Sequence, residues 1–385
     1  MKIFELEEVK TTPAKIKVVG IGGGGCNAVN AMIASNLQGV EFIAVNTDAQ
    51  ALESSLAQQR LQIGNSLTKG LGAGANPEIG RQAALDDRDL ISAAIEGADM
   101  IFITAGMGGG TGTGASPVVA EIAKELGILT TAVVTKPFLF EGTRRAQNAE
   151  HGIKELGKYV DSIITIHNNR LLNITDRETP WLKALDLAND VLRQAIKGIS
   201  DLILVPGLIN HDFADIKTIM ADSGRAHMGI GNARGENRAT NAAKMALTSP
   251  LLEESTIEGA RGVLINITGG DSLSLYEVNE AASLVSDASH EDSNIIFGSV
   301  IDSNLDDMVT VTIIATGFED KPKVAIPTYE KWRPSKESFP LKGSERILSK
   351  DLSTGLDKDD LDIPTFMRKT GVSKDYSVDS VAESD

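Results

Sequence analysis

"MGGGTGTGAS" (Met107–Ser116) follows the aliphatic run "MIFITAG" (Met100–Gly106) and puts five glycines and two threonines into ten positions. Glycine at this density costs backbone entropy, so it is kept where geometry demands bare backbone. A buried strand running into such a loop, with "PVVAEIAKELG" reading as a helix behind it, is the layout of an anion cradle. Glycine amides form a nest, and a helix starting near Ser116-Pro117 adds its positive end. Thr111 and Thr113 add hydroxyl donors. No lysine stands in the stretch, so it is not G-x-x-x-x-G-K-[ST], and backbone amides would have to hold the phosphates. Lys136 and Arg145 are the nearest cations, and a hydrated Mg²⁺ would neutralise the remaining charge. The plain alternative is a purely structural glycine turn.

A second glycine run stands upstream. "GIGGGG" (Gly20–Gly25) lies between the strand pattern "IKVVGIG" and the helix pattern "CNAVNAMIAS", and Asp48 closes the next strand, "EFIAVNTD". Alone, G-x-G-x-x-G with an acid at that point fits a dinucleotide-binding oxidoreductase, or a turn that only lets helix and strand pack closely. Two cradles in one half suit a triphosphate chain better than a diphosphate. Further strands "TTAVVTKP" and "SIITIHN", alternating with helices, predict a parallel sheet covered on both faces, with ligands at the carboxyl ends of its strands.

The 385 residues carry a net charge of −16, 42% apolar residues, five histidines and one cysteine, Cys26. Such acidity opposes binding to nucleic acid or anionic lipid. No apolar run reaches the roughly 20 residues of a membrane span, and the start "MKIFELEEVKTTPAK" does not read as a signal peptide. One cysteine excludes intramolecular disulfides and cysteine-cluster zinc sites, and the histidines show no metal-ligand spacing, so no metal is assigned to protein ligands alone. Together these features predict a cytoplasmic protein. Cys26, beside the first glycine run, reads as packing rather than as a nucleophile.

Residues 180–205, including "PWLKALDLANDVLRQAIKG", read as one long helix, and 206–318 as a smaller α+β domain. "NHDFAD" (Asn210–Asp215) offers two carboxylates at a helix start, where Asp212 as N-cap and Asp215 in the first turn is the ordinary reading. The stretch 319–360 is polar, proline-bearing and aperiodic, which predicts a disordered linker. After it, "LDIPTFMRK" (Leu361–Lys369) forms an apolar island in the tail 361–385.

In this order and at these spacings, "GIGGGGCNAVN", "VEFIAVNTDAQAL", "KGLGAGANPE", "GGGTGTG", "PFLFEGTRR", "LANDVL", "NHDFADIKTIM" and "LDIPTFMRK" resemble the FtsZ family of tubulin-like cell-division GTPases. The resemblance spans Ile16 to Gly317 and resumes at Leu361. It implies a tubulin-like α/β fold: an extension (1–15), a Rossmann-like parallel-sheet GTP-binding domain (16–179), the central helix, the α+β domain, linker and tail. It implies GTP or GDP held by Gly23, Gly24, Gly25, Cys26 and Asn27, and by Gly108, Gly109, Gly110, Thr111, Gly112, Thr113 and Gly114. Ala73, Gly74, Ala75 and Asn76 would surround the γ-phosphate, and Asp48 belongs to the same site.

By the same resemblance, Glu141 is the ribose contact, Arg145 lies near ribose and phosphate, and Asn168, Asn189 and Asp190 face ribose and base. A carboxylate at Asp190 can accept two hydrogen bonds from guanine, where adenine would leave it unpaired. Leu185 stands where the family commonly has an aromatic residue over the base. Asn210, Asp212 and Asp215 match the loop that reaches the nucleotide of a neighbouring subunit, so hydrolysis would follow head-to-tail assembly into filaments of the mid-cell division ring. Leu361–Lys369 matches the segment that docks membrane-tethering and regulatory division proteins, although Thr365 and Met367 replace the usual Ala and Leu. A permanently nucleotide-bound scaffold and a tubulin-like segregation protein are the remaining alternatives.

Overall fold

Along β1 (Ile16–Ile21), Ile16 and Val18 enter one apolar cluster while Val19 and Ile21 enter another. β2 (Val40–Asn46) does the same with Phe42 and Ala44 against Ile43 and Val45. Side chains alternate along a strand, so continuous aliphatic runs of this kind require helices on both faces. The computed structural model describes residues 13–172, 180–205, 212–252 and 257–318, and shows that sheet.

The other strands are β3 (Gln59–Gln62), β4 (Met100–Gly106), β5 (Leu129–Lys136), β6 (Ser162–His167), β7 (Gly224–Arg234), β8 (Gly262–Gly269), β9 (Asn294–Ile301) and β10 (Met308–Thr316). They form one sheet in the order β3-β2-β1-β4-β5-β6-β7-β10-β8-β9. Pairing is parallel from β3 to β7 and between β8 and β9, and antiparallel where β10 meets β7 and β8. The seam between β6 and β7 is short: only Ser162, Ile163 and Ile164 pair across it, with Gly224, Arg225 and Ala226.

The helices are α1 (Gly22–Ala34), α2 (Ala49–Glu53), α3 (Asn65–Thr68), α4 (Pro77–Asp86), α5 (Arg88–Ile95), α6 (Thr111–Glu125), α7 (Thr143–Leu156), α8 (Asn168–Leu171), α9 (Trp181–Leu204), α10 (Phe213–Met220), α11 (Arg238–Leu247) and α12 (Leu275–Asp287). α9 buries Val191, Leu192, Ala195, Ile196 and Ile199 in the same core as Met100 and Phe102 of β4, Leu264 of β8 and Ile296 of β9. α4 to α7 cover the opposite face of β1, β2, β4 and β5, and α11 and α12 cover β8 and β10. The α/β architecture expected from the strand–helix alternation is therefore present.

Several boundaries differ from expectation. α1 begins at Gly22 rather than Cys26, and α6 at Thr111 rather than near Ser116-Pro117. Gly22–Gly25 and Gly112–Gly114, read as loop, are instead first helical turns, while Gly108–Gly110 precede α6 as a turn. The Asn210 position, the linker 319–360 and the tail with Leu361–Lys369 lie outside the described residues, as does most of the extension 1–15.

Candidate nucleotide site

β1 and β4 are adjacent and parallel, with Ile21 paired to Ala105, so the glycine runs following them emerge side by side at their carboxyl ends. The runs are in direct contact. A Cβ on Gly22 would lie 2.8 Å from the Gly112 amide nitrogen, and one on Gly24 would lie 3.1 Å from the Gly106 backbone. Gly22 also takes φ of +71°, a conformation that L side chains rarely adopt. α4 closes from the other side: Gly114 leaves 1.9 Å to the Pro77 carbonyl oxygen, and Gly110 leaves 2.7 Å to the Ala73 Cβ. Most of these glycines thus permit backbone-to-backbone contact. Gly23 and Gly109 are different, because a Cβ there would meet nothing within 4 Å. Bare backbone bordering open space at the start of two long helices is the arrangement that suits an anion.

The loop's own bonds hold it in shape. Gly108 (φ +106°) donates its amide to Thr113 Oγ1 at 2.8 Å, and Thr111 Oγ1 lies 2.7 Å from Thr47 Oγ1. The Thr111 hydroxyl, expected as a phosphate donor, is therefore shared with Thr47, whereas Thr113 accepts in its bond and keeps its own proton to donate. Asp48 caps α2 by accepting the Gln50 and Ala51 amides. Ala73, Gly74, Ala75 and Asn76 lead into α4, where Asn76 accepts the Glu78 amide; Gly74 and Ala75 both have φ near +57°. Cys26 is buried among Gly20, Val45 and Asn46. That burial pushes its thiol up to about 11. Asn27 is exposed in the first turns of α1.

Beyond β5, Glu141 accepts the Phe138 amide and pairs with Arg145 at 2.5 Å. Lys136 is occupied by Glu150 at 2.7 Å. Asn168 opens α8 and is buried, yet its Oδ1 has no hydrogen-bond partner. On α9, Leu185 is 38% exposed, and Asp190 accepts from Arg193 and Gln194. Asp212 caps α10 through the Asp215 amide at 2.9 Å, as its ordinary reading required.

Residues missed by sequence reasoning include Thr47, Asn169 and Arg170. Asn169 Oδ1 accepts the Leu139 amide at 3.0 Å, and Arg170 donates to the carbonyls of Pro250 and Leu252. Their signal was weak: "NNRL" follows a strand without any glycine or repeat to mark it. Among the described residues no group of three or more His, Cys, Asp or Glu is placed to hold a metal, and no helix is long and apolar enough to cross a membrane.

Comparison with known proteins agrees with this geometry. Residues 15–176 match the family model described as Tubulin/FtsZ family, GTPase domain, and residues 224–319 match the FtsZ family, C-terminal domain. A structure titled FtsZ dimer, empty, from M. jannaschii, is 45% identical with a TM-score of 0.77, covering 80% of this chain and 89% of its own. CetZ1 from Haloferax volcanii, a GDP-bound monomer, shares the fold at a TM-score of 0.69 and 22% identity, covering 80% of this chain and 96% of its own. The oxidoreductase alternative is set aside by these matches. On both matched segments and at 45% identity over most of its length, the chain belongs to the FtsZ family of tubulin-like GTPases, and binds GTP and GDP.

Proposed function

We propose that this GTPase assembles head-to-tail into filaments of the cell-division ring and cleaves GTP at the junction between subunits. The observation that carries the reading is the convergence of α1 and α6 at neighbouring strand ends, with Gly23 and Gly109 bordering open space. In this reading Gly23–Asn27 and Gly108–Gly114 hold the phosphates, and Asp48 and Ala73–Asn76 border them. Glu141 and Arg145 lie by the ribose. Asn168, with its unpartnered buried acceptor, joins Leu185, Asn189 and Asp190 around the base.

Hydrolysis needs an oriented water and stabilised charge besides a cradle. Asp212 and Asp215 follow the far end of α9, and Asp190 and Leu204 on that helix are separated by about 21 Å at 1.5 Å per residue. That separation supports supply of Asn210, Asp212 and Asp215 to the next subunit's nucleotide rather than to their own. A hydrated Mg²⁺ on the phosphates would supply neutralising charge, and it needs few protein ligands. A head-to-tail interface repeats as an open filament, so cleavage at each junction times filament lifetime.

The functional units proposed are a GTP-binding domain (16–179), the central helix (180–205) and a second domain (206–318), with a linker (319–360) setting the reach of the tail. Leu361–Lys369 would dock membrane-tethering and regulatory division proteins in the cytoplasm at mid-cell. The decisive experiment measures phosphate release and light scattering together while protein concentration is varied. A shared concentration threshold with GTP is the expected result; release that is linear in protein from the lowest concentration would overturn assembly-dependent hydrolysis.

A further inference from the structure

The short helix α8 anchors itself on three sides. Asn168 presents the buried acceptor of the candidate base site, and Asn169 accepts the Leu139 amide at 3.0 Å on the β5 side. Arg170 turns the other way: its Nη1 donates to the Pro250 carbonyl at 3.1 Å and to the Leu252 carbonyl. Leu171 is buried in the core beneath α9.

The need for this third anchor follows from the sheet. β6 pairs with β5 as far as His167, but on its β7 side pairing stops at Ile164. Thr165 and Ile166, a short way before α8, therefore lie beyond the ladder that β6 shares with β7. A single guanidinium nitrogen, Nη1, donating to two carbonyls is placed to stand in for the missing ladder. The receiving segment is itself held: the Leu252 amide donates to the Ser249 carbonyl at 3.0 Å. Leu251 is buried in the α9 core and Leu252 in the core of the second half.

We propose that Arg170 is a positioning residue that sets Asn168 against the nucleotide base by tying α8 to the Pro250–Leu252 segment. The proposal rests on the nucleotide reading above. Because coupling is reciprocal, base binding would also steady that segment of the second half.

Calorimetric titration of the full chain with GTP, and separately with inorganic triphosphate, tests it. Arg170→Ala is expected to weaken GTP about tenfold, the scale of lost charge-assisted hydrogen bonds, and to leave triphosphate within about twofold. Arg170→Lys, which keeps a cationic donor on a shorter stem, should fall between wild type and alanine. If the alanine variant does not fold, the lysine variant carries the same comparison. Unchanged GTP affinity, or equal weakening of GTP and triphosphate, overturns the proposal and assigns Arg170 a merely structural role. A wild-type chain that binds triphosphate but not GTP overturns the base site itself, and the positioning role with it.

Discussion

The hydroxyls of Thr47 and Thr111 lie 2.7 Å apart and buried, joining the residue after β2 to the first residue of α6. Removing one partner leaves the other hydroxyl without its bond in a dry site, whereas removing both leaves an apolar contact of similar shape. Thr47→Val should therefore cost about 1–2 kcal/mol, and Thr47→Val with Thr111→Val should cost less than the two single changes summed. Urea unfolding of the three nucleotide-free variants measures this. Strict additivity would mean that the two hydroxyls do not interact.

Much of the sheet was legible because aliphatic runs such as "MIFITAG" and "GVLINITGG" have no other comfortable place. β3 and β7 were not. β3 is "QRLQ", a polar edge strand, and β7 carries glycines at 229 and 231 that weaken a strand signal. Those glycines have a physical cause: α11 lies so close that a Cβ would stand 2.1 Å from the Ala246 carbonyl and 2.0 Å from that of Ala242. The starts of α1 and α6 were misplaced for the same reason. Glycine there admits neighbouring backbone into a helical turn, which composition alone cannot distinguish from a loop. Within the site, glycine and acidic motifs were readable, while Thr47 and Arg170 act through long-range partners that sequence does not display.

Acid should weaken the second half through Glu277. This carboxyl is held down to about 2, chiefly by its hydrogen bond from Arg238 at 2.8 Å, and it also closes the capping box of α12. A lowered folded value stabilises the protein above the unfolded value of 4.5, and the benefit is lost as pH falls from there toward 2. The contribution at neutral pH is about 2–3 kcal/mol. Glu277→Gln should flatten the loss of stability between pH 5 and 3, on the order of a carboxyl titration range. Parallel acid limbs for variant and wild type would refute the assignment.

Cys26 should resist alkylation despite its place beside the glycine runs. Burial raises its thiol from 9.0 to about 11, so the reactive thiolate is scarce at neutral pH. Iodoacetamide should label the folded chain at least about 10-fold more slowly than the urea-unfolded chain, because scarcer thiolate outweighs its higher nucleophilicity and the sulfur is buried besides. Mass spectrometry of timed samples gives the ratio, and comparable rates would mean that the pocket around Cys26 opens freely.

Deleting residues 361–385 should spare GTP hydrolysis and filament formation, because both glycine runs and both family matches lie before residue 320. Leu361, Ile363, Phe366 and Met367 make an apolar stretch too short to be stable alone, of the kind that folds against a partner's groove. The deletion is expected to abolish tether binding in pull-downs and ring placement in cells. Loss of phosphate release by the shortened chain would show instead that the tail belongs to the enzyme.

Asp212 caps α10, and the function proposed above gives it a second duty that the choice of substitution separates. Its Oδ1 caps α10 through the Asp215 amide, so Asp212→Ala removes a cap as well as a charge, at a cost of about 1 kcal/mol. Asp212→Asn keeps an acceptor at the cap and removes only the charge. If the carboxylate acts on the neighbouring subunit's nucleotide, this variant should bind GTP within about twofold of wild type and lose on the order of 100-fold in turnover. Gly108→Ser damages the other side of the junction, since any Cβ at φ +106° would sit 2.8 Å from the Arg145 carbonyl oxygen. Mixed in equal amounts, the two inactive proteins form some junctions in which an intact pocket meets an intact Asp212. Random mixing makes these at most about a quarter of all junctions, so the mixture should hydrolyse GTP at up to that fraction of the wild-type rate. A mixture as inactive as its components, although light scattering shows that it assembles, would place the carboxylate's work within its own subunit.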